Sequence, residues 1–286
     1  VVQDAQSGSY GLISADGEVA LAPTYERACT VHDGLLAVKK DGKWGFVTPF
    51  GTSRTDMKFM DPGREGYQAY RFYNGVAPVK GEAGDWGMIN TEGTLVAGYN
   101  FSIIYPPKKD FFVIGDGKRR GLLNKQGRVI AKPVFQDVGT FSEGRLAVQQ
   151  DDLWGFLDEN GERAIASRYR AYHPFSEGLV AVQLEEKWTY LDKEGAVVVP
   201  ANLNNARAFS NGRGVAKKGQ IWGAFDHSGK FVVEPLFEAI EPFSEERAAA
   251  KALKKWGHID LNGTPTTDFQ YKYSGSFSEG RAVVGK

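Results

Sequence analysis

The chain has 286 residues, and its 35 basic and 35 acidic side chains give a formal net charge of zero. Apolar residues make up 42% and aromatic residues 13%, which argues against a disordered chain, since disorder needs few aromatics and a large net charge. The balanced charge provides no overall field to hold nucleic acid or an anionic membrane. No apolar run approaches the roughly 18 residues of a membrane span, so we expect neither a nucleic-acid partner nor a spanning segment.

The cysteine content and the first residue bear on the compartment. Cys29 is the only cysteine, which excludes an intramolecular disulfide framework and a thiolate-rich zinc site. Val1 in place of an initiating methionine indicates that an upstream segment, such as a signal peptide or a tag, has been removed. The expected location is extracytoplasmic, either periplasmic or secreted, with the cytoplasm as the alternative. The oligomeric state stays open.

A repeat runs through the whole sequence. Trp-Gly pairs recur along the chain, and steps of 34 residues connect them, apart from one step of 42 between Trp44 and Trp86. This register predicts a single domain over residues 1–286 that contains eight repeats. Their anchor residues are Tyr10, Trp44, Trp86, Arg120, Trp154, Trp188, Trp222 and Trp256.

Short strands and turns fill each repeat. A glycine follows every anchor by seven residues, and segments such as Asp158-Glu-Asn-Gly161 are typical of tight turns. β-Rich segments flank these turns, and Phe-Ser-Glu-Gly, as at Phe141, turns the chain into a further strand. No segment keeps a helical spacing of apolar residues over ten positions. The sequence therefore predicts an all-β fold with about three strands per repeat.

The recurring tryptophans and the two ends of the chain suggest how the repeats pack. We expect Trp154, Trp222 and Trp256 to be buried between neighbouring repeats. The first hairpin, at Tyr10, is predicted to lack a leading strand, and the last strand, within 277–284, to lack a hairpin. Pairing these two ends would close the repeats into a propeller-like toroid without exposed edges. We favour this closed toroid over an open β-solenoid.

The repeat resembles a known family. Phe175-Ser-Glu-Gly-Leu-Val-Ala-Val, then Lys187-Trp, then Asp192-Lys-Glu-Gly195 are similar to the units of the bacterial WG-repeat (KWG-repeat) family. The resemblance covers nearly the whole chain and implies a β-repeat protein without a shared catalytic site. Arg120 in an anchor position and Thr189 in place of the glycine depart from the pattern.

The sequence shows no arrangement typical of a catalytic or metal site. The four histidines occupy four different positions in the repeat, so they form no ring of equivalent ligands. The recurring aspartates, such as Asp158, are explained by their turns. The serine of Phe-Ser-Glu-Gly has no histidine at a fixed offset, and a Ser-His-Asp nucleophile is unsupported. We expect no metal, no cofactor and no enzymatic activity.

Two segments interrupt the repeat, and we expect a partner surface there. The first is residues 52–74, which are rich in aromatics, and the second is residues 99–120, which carry five basic and two acidic side chains within 101–120. Aromatic and basic residues on irregular loops are common in interfaces. The alternative is a drifted repeat whose own aromatics fill the gap. The candidate partner-binding residues are Tyr67, Tyr70, Tyr73, Tyr105, Lys108, Lys109, Arg119 and Arg120.

Three classes of function follow from these features. The first is a non-enzymatic scaffold that binds a protein partner, whose surface we expect to be acidic. A sharper form of it is an inhibitor or immunity protein directed against a bacterial toxin or hydrolase. The alternative class is a carbohydrate or cell-wall binding module, since exposed aromatic faces stack on sugars.

Overall fold

The computed structural model describes residues 1–62 and 70–286. All the regular secondary structure in these residues consists of β-strands. No helix in these residues is long and apolar enough to cross a membrane. The backbone contacts divide the chain into two compact bodies, Val1–Gln136 and Asp137–Lys286. We call them the N-terminal and the C-terminal body. The all-β prediction is confirmed.

The N-terminal body consists of small antiparallel sheets in which neighbouring strands follow one another along the chain. The sheet orders are β1-β2-β3, β4-β5-β6, β7-β8-β9 and β10-β11-β12-β13. The strands are β1 (Val2–Gln3), β2 (Tyr10–Ile13), β3 (Val19–Tyr25), β4 (Arg27–Ala28), β5 (Leu36–Lys40), β6 (Lys43–Val47), β7 (Val76–Lys80), β8 (Trp86–Asn90), β9 (Leu95–Phe101), β10 (Ile103–Ile104), β11 (Phe111–Gly115), β12 (Arg120–Asn124) and β13 (Val129–Phe135).

The C-terminal body is more regular, with sheets β14-β15-β16-β17, β18-β19-β20-β21, β22-β23-β24-β25, β26-β27-β28-β29 and the pair β30-β31. Its strands are β14 (Asp137–Ser142), β15 (Arg145–Gln150), β16 (Leu153–Leu157), β17 (Arg163–Tyr169), β18 (Ala171–Tyr172), β19 (Val180–Leu184), β20 (Lys187–Leu191), β21 (Val197–Leu203), β22 (Asn205–Ala206), β23 (Gly214–Lys218), β24 (Ile221–Phe225), β25 (Phe231–Phe237), β26 (Ala239–Ile240), β27 (Arg247–Ala252), β28 (Lys255–Asp260), β29 (Pro265–Tyr271), β30 (Tyr273–Ser274) and β31 (Val284–Gly285).

Each anchor residue pairs with the residue fifteen positions later, which is aromatic in every repeat except that of Trp188. This cross-strand pair recurs in both bodies and sets the register of each sheet. The pairs are Tyr10–Tyr25, Trp44–Phe59, Trp86–Phe101, Arg120–Phe135, Trp154–Tyr169, Trp188–Leu203, Trp222–Phe237 and Trp256–Tyr271.

A β-bulge explains the glycine after the anchor. Between the pairs Trp222–Phe237 and Ala224–Val233 the register shifts, so that the following strand carries two extra residues. This bulge brings backbone close to Gly223, where an added Cβ would lie 2.6 Å from the carbonyl oxygen of Val233. Glycine therefore recurs at this position because a side chain has no room there.

Thr189 shows how one repeat tolerates a side chain at that position. It is 2% exposed, and its hydroxyl donates a hydrogen bond to the carbonyl oxygen of Val199, the residue that corresponds to Val233. The hydroxyl thus bonds to the carbonyl that would otherwise clash with the side chain. Its departure from the family pattern is compensated locally.

The predicted Asp-x-x-Gly turns are confirmed. The carboxylate of Asp158 accepts hydrogen bonds from the N–H groups of Asn160 (2.9 Å) and Glu162 (2.8 Å), and Gly161 has a positive φ of 81°. Corresponding turn glycines also pack on the preceding sheet, since a Cβ on Gly229 would lie 2.7 Å from the carbonyl oxygen of Val198. Glycine is thus required in this turn for two reasons, its positive φ and the lack of room for a side chain beside the neighbouring sheet.

The Phe-Ser-Glu-Gly turns connect successive sheets. Glu143 and Gly144 both have positive φ, as a two-residue hairpin turn requires. The Glu143 carboxylate then accepts hydrogen bonds from the backbone N–H groups of Glu177 (2.7 Å) and Gly178 (2.8 Å) in the next turn. Glu177 accepts in the same way from Gly212, at 2.9 Å. We call this series of contacts the turn ladder.

The turn ladder continues in variant turns and in the N-terminal body. Asn211 accepts from the N–H group of Glu246, and Glu245 accepts from that of Gly280, both at 2.8 Å. In the N-terminal body Asp33 accepts from Gly75 at 2.7 Å, although 42 residues separate the two instead of 35. The contact therefore survives the longer repeat.

The anchor tryptophans are less buried than expected. Trp154, Trp222 and Trp256 are half-buried, so the prediction that they are buried is wrong. Full burial falls instead on the residue two positions later, as in Phe156 and Tyr190. The anchor lies near the start of its strand, where Trp188 is covered by His173 and Trp222 by Arg207, both of them polar side chains that are themselves half-buried.

The first hairpin has a leading strand, contrary to the sequence-based expectation. Strand β1 pairs with β2 through Val2–Gly11 and Gln3–Tyr10. The C-terminal strand β31 pairs with β30 in the C-terminal body. The place beside β2 that closure would assign to the C-terminal strand is therefore occupied by Val2–Gln3.

The longer repeat of the N-terminal body is filled by aromatic side chains. Tyr70 is 2% exposed, and its ring lies 5.5 Å from that of Trp44 and 6.2 Å from that of Phe46. Its hydroxyl donates a hydrogen bond to the carbonyl oxygen of Met60, and burial raises its pKa well above the usual value. The interpretation of Tyr70 as a surface residue is therefore wrong.

The turn ladder predicts a pH-dependent contribution from Glu143. Burial raises its pKa, but the N–H groups of Gly178 and Glu177 and the Lys193 ammonium, 3.4 Å away, lower it more, so the pKa lies below its ordinary 4.5. A depressed pKa contributes stability above the unfolded value, and this contribution is lost as the pH falls through the folded value. Glu143→Ala should cost about 1–2 kcal/mol at pH 7 and much less near pH 3, in urea denaturation.

Glu279 provides the matched control for this experiment. It occupies the same turn position with a similar φ of 52°, but its carboxylate accepts no hydrogen bond from the described part of the chain. Glu279→Ala therefore imposes the same backbone strain without removing a contact. An equal loss in the two variants at pH 7 would contradict a stabilising turn ladder.

Tyr70 provides a second prediction, on the core of the N-terminal body. Tyr70→Ala should cost about 3–5 kcal/mol in urea denaturation, because it empties a site enclosed by aromatic rings. Tyr105→Ala, at a half-buried position, should cost about 1 kcal/mol by comparison. An unchanged urea midpoint for Tyr70→Ala would contradict the assignment of this residue to the core.

Candidate functional site

The second interrupted segment forms a basic depression in the N-terminal body. We call this the basic depression and define it by the residues that line it. Its volume is about 130 Å³, and its lining consists of Tyr105, Gly115, Gly117, Lys118, Arg119, Arg120 and Gln136. Three of the predicted partner-binding residues, Tyr105, Arg119 and Arg120, therefore meet there.

The β11–β12 hairpin holds the basic side chains of one wall. Asp116 begins its turn, and its carboxylate accepts hydrogen bonds from the N–H groups of Arg119 (2.8 Å) and Lys118 (2.9 Å). These two N–H groups lower the pKa of Asp116. The Arg119 guanidinium reaches the carbonyl oxygen of Val134 at 3.3 Å. Lys118 and Arg119 are therefore exposed on a turn whose backbone is fixed by hydrogen bonds.

The loop between β10 and β11 supplies the opposite wall. The Tyr105 N–H group donates to the carbonyl oxygen of Val113 (2.8 Å), and Lys108 and Phe111 exchange backbone hydrogen bonds. Burial lowers the pKa of Lys108, and the positive charge of Arg120 lowers it further. Lys108 thus lies close enough to Arg120 for the two cations to repel. Lys109 is exposed beside it, with a positive φ of 60°.

Arg120 explains why the depression forms at this repeat. In two repeats of the C-terminal body the residue fifteen positions before an anchor packs on the anchor ring. His173 stacks on Trp188 with centroids 5.2 Å apart, and the Arg207 guanidinium lies 5.3 Å from the Trp222 ring. Tyr105 holds the same position before Arg120. Because a guanidinium replaces the indole, the space beneath Tyr105 stays open and is lined by positive charge.

Two other candidate residues, Tyr70 and Tyr73, do not line the basic depression. Tyr73 is half-buried against Phe112, with ring centroids 6.2 Å apart, and the Arg71 guanidinium lies 5.3 Å from its ring. Tyr70 belongs to the core. Tyr67 lies outside the described residues.

Sequence reasoning missed a row of contacts in the C-terminal body. Arg207 not only covers Trp222 but also pairs with both carboxylate oxygens of Glu241, at 2.8 and 3.2 Å. Burial lowers the pKa of His173, and Arg207 lowers it further. The signal was available, since His173, Arg207 and Glu241 are spaced by 34 residues. We interpret this row as packing over the anchors, because its charged groups are paired with one another.

Several solved structures show a distant likeness to this chain. BamB from Moraxella catarrhalis is 12% identical over 86% of this chain and 84% of its own, with a TM-score of 0.33. Kluyveromyces lactis Hsv2 is 11% identical over 65% of this chain and 71% of its own, with a TM-score of 0.34. PorZ from Porphyromonas gingivalis is 10% identical over 90% of this chain and 41% of its own, with a TM-score of 0.32. Such low TM-scores carry no argument about shape or activity.

Comparison with family models gives a clear result, whereas no curated protein matches the sequence. The model described as WG containing repeat matches residues 10–44, 121–154, 154–188, 188–220, 222–256 and 256–286. These segments cover most of the chain, and their boundaries fall at or beside the predicted anchors. The resemblance inferred from the sequence is confirmed, and the chain belongs to the WG-repeat family.

Proposed function

We propose that this protein is a non-enzymatic repeat scaffold that binds a protein partner through the basic depression. The observation that carries the proposal is the replacement of an anchor indole by Arg120. It leaves a concave site between Tyr105 and the β11–β12 turn. Tyrosine and arginine are both enriched among the residues that dominate interface energies, and tyrosine provides a large contact area at a small cost in side-chain entropy.

The charge of the site indicates the chemistry of the partner. Lys108, Lys118, Arg119 and Arg120 are all cationic and close to the depression, whereas Asp116 is engaged by backbone N–H groups. A carboxylate-bearing surface would complement this arrangement and reduce the repulsion between Lys108 and Arg120. We therefore propose a partner with an acidic surface, as in an inhibitor or immunity protein that meets its target in a one-to-one complex.

A carbohydrate-binding module is the less favoured candidate. Sugar stacking needs open aromatic faces, whereas in the C-terminal body His173 covers Trp188 and Arg207 covers Trp222. Tyr105 retains a half-exposed ring. Binding to a glycan array that is lost in Tyr105→Ala would favour this module over the protein-binding scaffold.

The protein partner is tested by charge reversal. In affinity capture followed by mass spectrometry and titration, the variant Lys108→Glu, Lys109→Glu, Arg119→Glu should bind the captured partner at least tenfold more weakly. The wild-type affinity should also fall with rising salt. Both proteins should show the same melting midpoint, because the substituted side chains are exposed.

The β12–β13 hairpin offers a control with an identical change in charge. Lys125, Arg128 and Lys132 are exposed in the same body but outside the basic depression. The variant Lys125→Glu, Arg128→Glu, Lys132→Glu should keep nearly full affinity. Equal affinities of both triple variants and the wild type would contradict the proposed site.

We also propose that the eight repeats close into a propeller-like toroid instead of an open β-solenoid. Separate sheets, each built from strands that follow one another along the chain, support the blades of a propeller. Because Val2–Gln3 already pairs with β2, closure requires the last repeat to pack on the first without pairing of the C-terminal strand to β2. Deletion of residues 276–286 should then lower hydrogen-exchange protection in β2 and β3 through lost packing, as well as at the C-terminus. Loss confined to the C-terminal repeat would favour the solenoid.

A further inference from the structure

One hairpin turn in the C-terminal body combines backbone strain with an exposed apolar side chain. In the β27–β28 hairpin Ala252 pairs with Lys255, so the loop contains two residues, Leu253 and Lys254. Both have positive φ, at 48° and 62°. The Leu253 side chain is 91% exposed. This geometry suits Asn-Gly, and a leucine there is unfavourable for the backbone and for solvation.

The equivalent turns of the same body carry polar residues or glycine, and of these Asp151-Asp152 has similar positive φ values at both residues, 53° and 62°. The corresponding loops are Asp151-Asp152, Glu185-Glu186 and Gly219-Gln220. Glycine adopts positive φ at no cost, and aspartate tolerates it. The fold therefore does not require leucine at this position. Unfavourable backbone conformations are often found at functional sites, so an exposed leucine at positive φ suggests a role in binding.

The charges of these four hairpin turns separate along the body. The β15–β16 turn carries Asp151 and Asp152, and the β19–β20 turn carries Glu185 and Glu186 before Lys187, whereas the β23–β24 and β27–β28 hairpins carry Lys218, Lys254 and Lys255. The last three lysines are exposed, and their ammonium groups form no ion pair with the described residues. These two hairpins are therefore locally basic although the whole chain is neutral.

The two basic hairpins belong to neighbouring sheets. Glu238 follows β25, and its carboxylate accepts a hydrogen bond from the Lys254 N–H group at 2.9 Å. Lys251 lies 4.0 Å from the same carboxylate. Ile221, at the start of β24, adds a second exposed apolar residue, 40% exposed. Glu238 directly precedes β26 and thus fixes the β27–β28 turn within its own sheet, and each of the two basic hairpins carries one exposed apolar residue.

The composition of this edge favours a lipid surface over a protein. Leucine is under-represented among interface hot spots, and lysine is depleted in interfaces. Apolar residues flanked by lysines are typical of segments that lie at the membrane interface, where the lysine stems reach the headgroups. Anionic lipids attract each such lysine separately. A protein of zero net charge can therefore bind an anionic membrane through a few local lysines.

We propose that the β27–β28 turn docks the protein on an anionic lipid surface, with Leu253 inserted and Lys218, Lys254 and Lys255 at the headgroups. This site is independent of the basic depression and of the partner proposed there. The strain at Leu253 is then explained by its contact with the bilayer.

The test is co-sedimentation of the full chain with vesicles at low and physiological salt. Vesicles of equimolar phosphatidylcholine and phosphatidylserine should bind the protein, and vesicles of phosphatidylcholine should bind it weakly. The variant Leu253→Asn, Lys254→Gly should bind about tenfold more weakly, since it removes the inserted side chain and one cation. Its melting midpoint should be equal or higher, because Asn-Gly suits the turn.

Two further variants complete the experiment. Leu253→Asn alone keeps every lysine and should also weaken binding, which separates insertion from charge. Glu185→Asn, Glu186→Gly makes the matching replacement in the acidic β19–β20 turn and should not weaken binding. The proposal is overturned if the wild type does not bind anionic vesicles at low salt, or if both Leu253 variants bind as well as the wild type. Leu253-dependent binding to soluble polyglutamate without vesicle binding would assign the turn to an acidic protein instead.

Discussion

The structure depends on a hydrogen bond that joins one repeat to the next. Its acceptor is the acidic side chain of the four-residue Phe-Ser-Glu-Gly turn, and its donor is a backbone N–H group of the following turn. The Phe-Ser-Glu-Gly turn places its acidic residue at positive φ, from where the carboxylate reaches the backbone N–H groups of the following turn. Tight turns leave backbone donors unpaired, and an unpaired donor near the protein interior is costly. In both bodies such turns supply the acceptor that the next one needs, which links small sheets that would be marginal alone.

Within each sheet the limiting constraint is steric. The bulge opposite the anchor strand pushes a carbonyl oxygen towards the residue after the anchor, and at Gly121 a Cβ would lie 2.5 Å from the oxygen of Ala131. Glycine satisfies this constraint in most repeats. Thr189 satisfies it chemically, because its hydroxyl bonds to the carbonyl. The Trp-Gly signature therefore reflects one bulge and the pairing of one ring, and it says nothing about a ligand.

The sequence was sufficient to predict the register but not the direction of individual side chains. Offsets of 7, 15 and 34 residues recur because the turn glycine, the anchor pair and the next turn occupy fixed places, and these predictions held. Tyr70 could not be assigned from its neighbours in sequence, since it enters the core across an irregular segment to contact Trp44 and Met60. Val2–Gln3 was missed because a two-residue strand has no periodicity to detect.

The candidate sites lie where the constraints of the repeat are absent. The anchor position needs a side chain that pairs across the strands, and Arg120 still does so with Phe135, so the sheet forms while the space beneath Tyr105 opens. A hairpin turn needs only two residues that accept positive φ, so its charge and polarity are free to differ from sheet to sheet. Asp151-Asp152 and Leu253-Lys254 form the same backbone with opposite surface chemistry. The stability of the repeat fold explains neither Arg120 at an anchor nor Leu253 in a turn, and for this reason we propose binding roles for these two departures from the shared pattern.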